Sequence, residues 1–252
     1  MRVRRYGQGV PLIWTHGIFH PIDVDDHSAI GDALNRIEGA SVVRWDTRGH
    51  GRTPPAERWE HHRWEALGDE LLALADALGF ERFVAGGISM GAAITLHAAV
   101  RAPERIAGLV LLAPPTAWHT RPPQQRAYRE LVSVGGPTEV ARVVQRAIEP
   151  AFEGGLPPPI QVMFDHLRAA EPVALERVLR GAAESDLPPR EALSSVRAPT
   201  LVMAWRGDAG HPFETAEEIA RAVAGAQLRE IGGFDDAEGV ARGIAEQLAA
   251  AC

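Results

Sequence analysis

Short apolar runs alternate with longer amphipathic runs along most of the chain. The longer runs repeat apolar residues at helical spacing, as Leu67, Leu71 and Leu74 do. These predicted helices lie near residues 27–37, 63–79, 91–101, 214–224 and 238–250. The short runs have the length of buried strands. They lie near residues 2–6, 11–15, 41–45, 82–86, 108–112, 200–204 and 227–231. Such alternation predicts an α/β fold with a mainly parallel central sheet flanked by helices.

The alternation stops between residues 116 and 192. Proline-rich segments at 121–123, 154–159 and 187–189 separate further helical runs in this region. These runs lie near 124–134, 138–149, 160–170 and 172–184. We therefore predict one core domain formed by residues 1–115 and 193–252, with a helical lid or cap at 116–192. A lid excludes water from a site and shapes its pocket.

A G-x-S-x-G motif, Gly87-Ile88-Ser89-Met90-Gly91, stands between a predicted strand and a predicted helix. In a sharp strand-to-helix turn, a serine is held with its Oγ exposed, and the helix N-terminus favours developing negative charge. The two glycines are needed because side chains there would collide with the neighbouring strand and helix. In this context the motif predicts a nucleophile elbow.

Composition excludes several classes of function. The net charge is −7, with no acidic or basic block, so we expect neither nucleic acid nor a membrane surface as a partner. The chain has no lysine, which excludes Schiff-base chemistry. We expect no cofactor, because phosphate-binding glycine loops are absent, and no metal, because ligand spacing is absent. The adjacent His61-His62 pair is expected to be solvated surface.

The ends of the chain contribute expectations about location. The basic N-terminus, residues 1–5, is not followed by an apolar segment of the kind that secretory signals have. No apolar stretch reaches the length of a membrane span. The one cysteine, Cys252, excludes an internal disulfide. Together these features favour a cytoplasmic location.

An ordered set of motifs resembles the α/β-hydrolase family over nearly the whole chain. Its members are His16-Gly17 after a strand, Asp46-Thr47-Arg48-Gly49-His50-Gly51-Arg52-Thr53, the serine elbow, and Pro199–Trp205 followed by Asp208 and Pro212. The resemblance implies the α/β-hydrolase fold, with a lid inserted after the sixth strand. It also implies structural roles for His16 and for His50, which lies in the D-x-R-G-x-G-x-S/T loop.

The same resemblance assigns chemical roles. Ser89 would be the nucleophile and Asp208 the triad acid. The backbone N–H groups of Ile18 and Met90 would form the oxyanion hole. Aromatic residues near the oxyanion loop and in the predicted lid, namely Phe19, Trp118 and Phe164, are candidate substrate-pocket residues.

The catalytic histidine departs from the family pattern. In the family it follows the last strand, but no histidine occurs after His211. One hypothesis is a substitute base. His211 is the first candidate because it is nearest to the acid, although a separation of three residues is an unfavourable one for Asp208 to orient it. The other candidates in this hypothesis are His20, His27 and His119.

Two further hypotheses do without a histidine. In one, catalysis is weak, and an acidic group past the last strand, Asp235, acts as the base. In the other, the protein is a catalytically impaired hydrolase-like protein that binds a small apolar ligand without turnover. The favoured interpretation is a serine hydrolase that acts on an ester, lactone or thioester of a small apolar acid through an acyl-enzyme on Ser89. A small-molecule substrate is the expected partner, and the sequence does not specify an oligomeric state.

Overall fold

The computed structural model of the chain describes residues 1–152 and 155–251. Glu153, Gly154 and Cys252 lie outside the described residues. The predictions that concern Cys252 and the first residue of the proline-rich segment 154–159 therefore lie outside the described residues.

The strands of the described residues form one twisted layer at the centre of the fold. They are β1 (Val3–Gly7), β2 (Val10–Thr15), β3 (Ala40–Trp45), β4 (Phe83–Ile88), β5 (Ile106–Leu112), β6 (Thr200–Ala204) and β7 (Gln227–Glu230). Their spatial order is β1-β3-β2-β4-β5-β6-β7. Only β1 pairs antiparallel within this set, on the outer side of β3. Each predicted strand overlaps an observed one, and the predicted mainly parallel sheet is confirmed.

Helices cover both faces of the sheet. One face carries α3 (Trp64–Ala77), α4 (Met90–Arg101) and α9 (Phe213–Ala222), and the other carries α2 (Ala29–Asn35) and α10 (Ala237–Ala250). Successive strand residues alternate between the two cores, so Leu12 faces α2 and α10 while Ile13 faces α3 and α4. A short helix, α1 (Ile22–Asp25), was not predicted. Among the described residues, no helix combines the length and hydropathy that crossing a membrane requires.

The helical insertion, residues 116–192, contains α5 (Arg121–Ser133), α6 (Pro137–Ile148), α7 (Pro158–Arg168) and α8 (Pro172–Ala183). It lies between β5 and β6, so it follows the fifth strand, and the expected position after the sixth strand is wrong in this chain's count. The position after a sixth strand came from the family resemblance, which implies six strands ahead of the insertion. In the described residues five strands precede it, and β1 is the edge of the sheet. The insertion has its own apolar core, which packs against Val24, Phe19 and Phe234.

Candidate active site

Ser89 occupies the sharp turn between β4 and α4. Its backbone has φ 54° and ψ −117°, a region that non-glycine residues rarely adopt. Its N–H donates to the carbonyl of Leu112 at the end of β5. Strain of this kind is held at functional sites by the surrounding structure. The elbow conformation predicted from the motif is therefore present.

The elbow glycines are required by close backbone packing. A Cβ on Gly91 would lie 2.0 Å from the carbonyl oxygen of Thr15, at the end of β2. A Cβ on Gly87 would lie 2.5 Å from the carbonyl oxygen of Gly91. Real Cβ atoms do not approach backbone so closely, so any side chain at either position would displace the serine.

His211 joins the candidate nucleophile, Ser89, to the candidate acid, Asp208. Its Nε2 lies 2.8 Å from Ser89 Oγ, and its Nδ1 lies 2.8 Å from Asp208 Oδ2. These partners assign the tautomer: Nδ1–H donates to the carboxylate, and Nε2 accepts the serine O–H. This is the connectivity of a Ser-His-Asp triad.

We expected a separation of three residues to be unfavourable for Asp208 to orient His211. That expectation is wrong, because the two side chains are in contact. The loop after β6 folds as a tight turn in which Asp208 Oδ1 accepts the backbone N–H groups of Gly210, at 2.8 Å, and of His211, at 3.2 Å. The other carboxylate oxygen is left to orient the imidazole. Asparagine and aspartate favour such turns because their side chains bond to backbone two or three residues ahead.

The same contacts keep the acid ionised. Burial acts to raise the pKa of the Asp208 carboxyl. Hydrogen bonds from the His211 imidazole and from the backbone N–H groups of Gly210 and His211 outweigh burial and hold that pKa below its ordinary value. An ionised acid is what a neighbouring imidazolium needs for stabilisation.

A buried arginine connects this turn to the helical insertion. The carbonyl of Gly210 accepts the N–H of Thr116 at 3.1 Å, and Thr116 Oγ1 accepts from the Arg121 guanidinium at 3.2 Å. Arg121 also donates to the carbonyls of Ala182 and Ser185 at the end of α8, and its guanidinium lies 4.1 Å from the Trp64 ring. One hydrogen-bonded junction thus joins the loop that carries Asp208 and His211 to the start of the insertion and to the end of α8.

The other candidate bases are placed elsewhere. His20 lies with its Nδ1 3.4 Å from Asp25 Oδ1, and His27 is exposed. His119 is exposed and accepts from Arg190 at 3.1 Å. Asp235 is also exposed, in the loop after β7. In the described residues, His211 is the histidine whose ring bonds to Ser89 Oγ.

The loop after β2, which the sequence predicts to contribute to the oxyanion hole, lies beside Ser89. A Cβ built on Gly17 would lie 3.6 Å from Ser89 Cβ, so the next residue, Ile18, is adjacent to the nucleophile. Met90 opens α4, where the helix dipole favours negative charge. Within the described part of the chain, the backbone N–H groups of Ile18 and Met90 donate to no other protein atom. Both donors are therefore available to a ligand oxygen.

His16 holds the loop after β2 in place. Its Nδ1–H donates to the carbonyl of Gly17 at 2.7 Å, and its Nε2 accepts the N–H of Thr47 at 3.0 Å. Burial lowers the pKa of His16 to about 4, so the ring is neutral at pH 7. Burial also lowers the pKa of His50 well below its ordinary value, and its Nδ1 lies 2.9 Å from Thr47 Oγ1. Both contacts are those of structural loop residues.

The expectation of a solvated His61-His62 pair is wrong for one member. His61 is exposed, but His62 is buried, and its Nε2 accepts the N–H of Ala56. The backbone of His62 packs so closely against Gly181 of α8 that a Cβ there would lie 2.4 Å from the His62 carbonyl. Contact with the insertion, distant in sequence, buries this ring.

The candidate pocket residues are divided between different environments. Phe19 lines a cavity of about 540 Å³ between the core and the insertion. Trp118 donates its ring N–H to the Pro188 carbonyl, with a guanidinium 4.4 Å from its ring centre. Phe164 is fully buried inside the core of the insertion. Trp118 and Phe164 are not among the residues that line the cavity beside Phe19. Across residues 1–152 and 155–251, no cluster of histidine, cysteine or acidic side chains is arranged to hold a metal ion.

Comparisons with known proteins support the fold and the family. The AB hydrolase superfamily protein YisY of Bacillus subtilis is 26% identical over 238 residues, or 90% of this chain and 84% of YisY. The 3-oxoadipate enol-lactonase 2 of Acinetobacter baylyi is 29% identical over 170 residues, 66% of this chain and 61% of the lactonase. The crystal structure of the enol-lactonase from Burkholderia xenovorans LB400 shares the fold with a TM-score of 0.81 at 20% identity, covering 98% of this chain and 96% of that one. A sequence profile described as alpha/beta hydrolase fold matches residues 10–151, and the chain therefore belongs to the alpha/beta hydrolase fold family.

Proposed function

We propose that the protein is a serine hydrolase of carboxylic esters, lactones or thioesters of small apolar acids. The observation that carries this proposal is the position of His211, which is hydrogen-bonded to Ser89 Oγ and Asp208 at once. A serine is a weak nucleophile until an adjacent base accepts its proton. Relatives that are named as an enol-lactonase and as a lipase support acyl transfer as the reaction class.

In the first half of the reaction, Ser89 Oγ attacks the acyl carbonyl carbon while His211 Nε2 takes the hydroxyl proton. The carbonyl π electrons move to oxygen, and the N–H groups of Ile18 and Met90 stabilise that oxyanion. As the tetrahedral intermediate collapses, the bond to the leaving oxygen or sulfur breaks. His211 donates the proton to the leaving group, and an acyl-enzyme on Ser89 remains.

In the second half, water attacks the acyl carbon and gives a proton to His211 Nε2. A second oxyanion forms in the same place. Its collapse breaks the bond to Ser89 Oγ, the serine regains the proton from His211, and the carboxylic acid leaves. Throughout both steps the Asp208 carboxylate keeps the imidazole in one tautomer and stabilises its protonated form.

The alternative is a hydrolase-like protein that binds a small apolar ligand without turnover. The hydrogen-bonded triad favours the enzyme over this alternative, because inert binding needs neither the strained serine nor an oriented base.

Ester turnover tests the proposal. We expect wild type to hydrolyse p-nitrophenyl acetate, and the Ser89→Ala variant to lose that activity while keeping its fold by circular dichroism. Rapid quenching should trap an acetyl group on the peptide that contains Ser89. Folded wild type that binds esters but releases no product would instead establish the alternative.

A further inference from the structure

A cavity of about 540 Å³ lies between the core and the insertion, and one of its lining residues, Phe19, is two positions from Gly17, which lies next to Ser89. It is lined by the loop at residues 49–55 on the core and by residues of α7 and α8 of the insertion. Ser89, Asp208 and His211 are not among its lining residues. The volume falls within the range of about 300–1,000 Å³ that is typical of small-molecule sites.

The walls of this cavity are mostly apolar. Leu167, Leu175 and Val178 of the insertion line one side, and Pro54 lines the core side. The buried polar ring in the wall is His50, which burial keeps neutral by lowering its pKa. Charged side chains occur at the exposed rim, where Arg52 and Glu171 lie. The apolar part of the wall can therefore accept an uncharged hydrocarbon group without taking a charge out of water.

Phe19 connects the cavity to the oxyanion loop. It directly follows Ile18 and is the first lining residue along the chain. Its φ of 64° places it in the left-handed region, which is strained for a bulky residue. Its ring packs against the core of the insertion. Phe19 is therefore a residue that the cavity shares with the loop beside Ser89.

The direction of the reaction indicates which part of an ester points this way. The leaving oxygen must receive its proton from His211 Nε2, so the leaving group lies on the His211 side of Ser89. His211 belongs to the loop after β6, and no residue of β6, α9 or that loop lines the cavity. The acyl chain extends from the carbonyl carbon on the other side, along the oxyanion loop that carries Phe19.

We infer that the cavity is an acyl-chain site, and that the preferred substrates are esters or thioesters of uncharged aliphatic acids longer than acetate. This inference rests on the proposed function, since it assigns the substrate class of the same nucleophile. Ala174 lies on the cavity wall in α8, where a larger side chain would occupy the space of the acyl chain.

The test compares p-nitrophenyl acetate with p-nitrophenyl octanoate in wild type, Ala174→Leu and Val173→Leu. Val173 is the matched control because it is the preceding residue on the same helix, 42% exposed and absent from the cavity wall. We expect wild type to favour the octanoate ester in kcat/KM. Ala174→Leu should lower kcat/KM for octanoate roughly tenfold or more, since each methylene in an apolar pocket changes rates by such factors. It should leave the acetate ester unchanged, and Val173→Leu should leave both unchanged.

Equal effects of Ala174→Leu on both esters, or no effect on either, would overturn the inference while leaving the hydrolase intact. Calorimetric binding of methyl octanoate to Ser89→Ala separates the inference from the proposed function, because it needs no turnover. If wild type hydrolyses nothing, weaker binding in Ser89→Ala/Ala174→Leu than in Ser89→Ala still supports the cavity as the chain site. Equal binding by the two proteins would overturn it.

Discussion

Asp208 and His211 are three residues apart in one turn, and the Oδ2 of the first lies 2.8 Å from the Nδ1 of the second. The candidate acid and the candidate base are therefore carried by a single loop, after β6. The family resemblance places the base after the last strand, where this chain has Phe234 and Asp235 instead. Because one turn holds both groups, their relative geometry is fixed by local hydrogen bonds rather than by the packing of two loops.

Replacing the base should abolish catalysis. We expect His211→Ala to lower kcat for ester hydrolysis by about 10⁴-fold or more, since a triad histidine acts as a unit with its serine. The matched control is His119→Ala, which removes an exposed imidazole that is bonded to Arg190 and should leave kcat unchanged. If His119→Ala lost as much activity as His211→Ala, the assignment of His211 as the base would be wrong.

The tautomer argument predicts a large effect of a nearly isosteric change. In Asp208→Asn, an amide oxygen can still accept the N–H groups of Gly210 and His211, so the turn should persist. The amide NH₂ would then face His211 Nδ1 and favour the tautomer that cannot accept the serine proton. We expect kcat to fall by about 10⁴-fold at an unchanged fold. Asp235→Asn is the control, and activity of Asp208→Asn near that of wild type would refute the orienting role.

Arg121 should affect the rate of ester hydrolysis because it helps to position the turn that carries Asp208 and His211. Arg121→Met would remove the guanidinium's hydrogen bonds to Thr116 Oγ1 and to the carbonyls of Ala182 and Ser185. A displacement of about 1 Å can cost roughly 10²-fold in rate, so we expect kcat to fall by that order while KM stays nearly constant. Thr116→Val keeps the N–H that bonds to Gly210 and should have the smaller effect.

The control for this experiment is Arg129→Met on the same helix, because Arg129 is exposed and pairs with Glu184. The variants should be compared at a temperature at which circular dichroism shows each to be folded. A folded Arg121→Met protein with the kcat of wild type would show that Arg121 stabilises the insertion alone.

Acid stability should depend on His16. Its pKa is about 4 in the folded chain against an ordinary value of 6.5, so between these values the unfolded chain binds a proton that the folded chain does not. The stabilisation is therefore fully present above pH 6.5 and is lost as the pH falls towards 4. The loss over this window is on the order of 3 kcal/mol for this one ring.

Urea unfolding at about pH 7 and about pH 5 measures this loss. His16→Gln keeps a donor and an acceptor but cannot titrate, so its free energy of unfolding should fall less between the two conditions than that of wild type. His119→Gln, at an exposed site, should behave as wild type does. An identical pH dependence in His16→Gln and wild type would contradict the assignment.

The fold was predictable because its signals are local or periodic. Both faces of the sheet are covered, so its strands are short continuous apolar runs, and the elbow glycines mark a turn that only glycine fits. Ser89 and Asp208 followed from an ordered set of motifs. The catalytic, oxyanion-hole and pocket roles, the lid function, the domain division and the cytoplasmic location stay predictions.

The candidate base, His211, was harder to predict because its contact with Ser89 depends on backbone conformation. A spacing of three residues carries no information about whether Asp208 accepts the N–H of Gly210, and that bond turns His211 towards Ser89. The segment Asp-Ala-Gly-His did hold a usable signal, since aspartate two residues before glycine favours such a turn. The burial of His62 had no local signal, because residues of α8 bury it from more than a hundred positions away.

The most direct test of the account is the rate at which a fluorophosphonate labels the protein, followed by intact mass. The account predicts one adduct on wild type, none on Ser89→Ala, and labelling slowed by about 10³-fold or more on His211→Ala, because only a deprotonating base activates the serine. Folded wild type that gains no adduct, or His211→Ala labelled as fast as wild type, would contradict the claim that His211 activates Ser89.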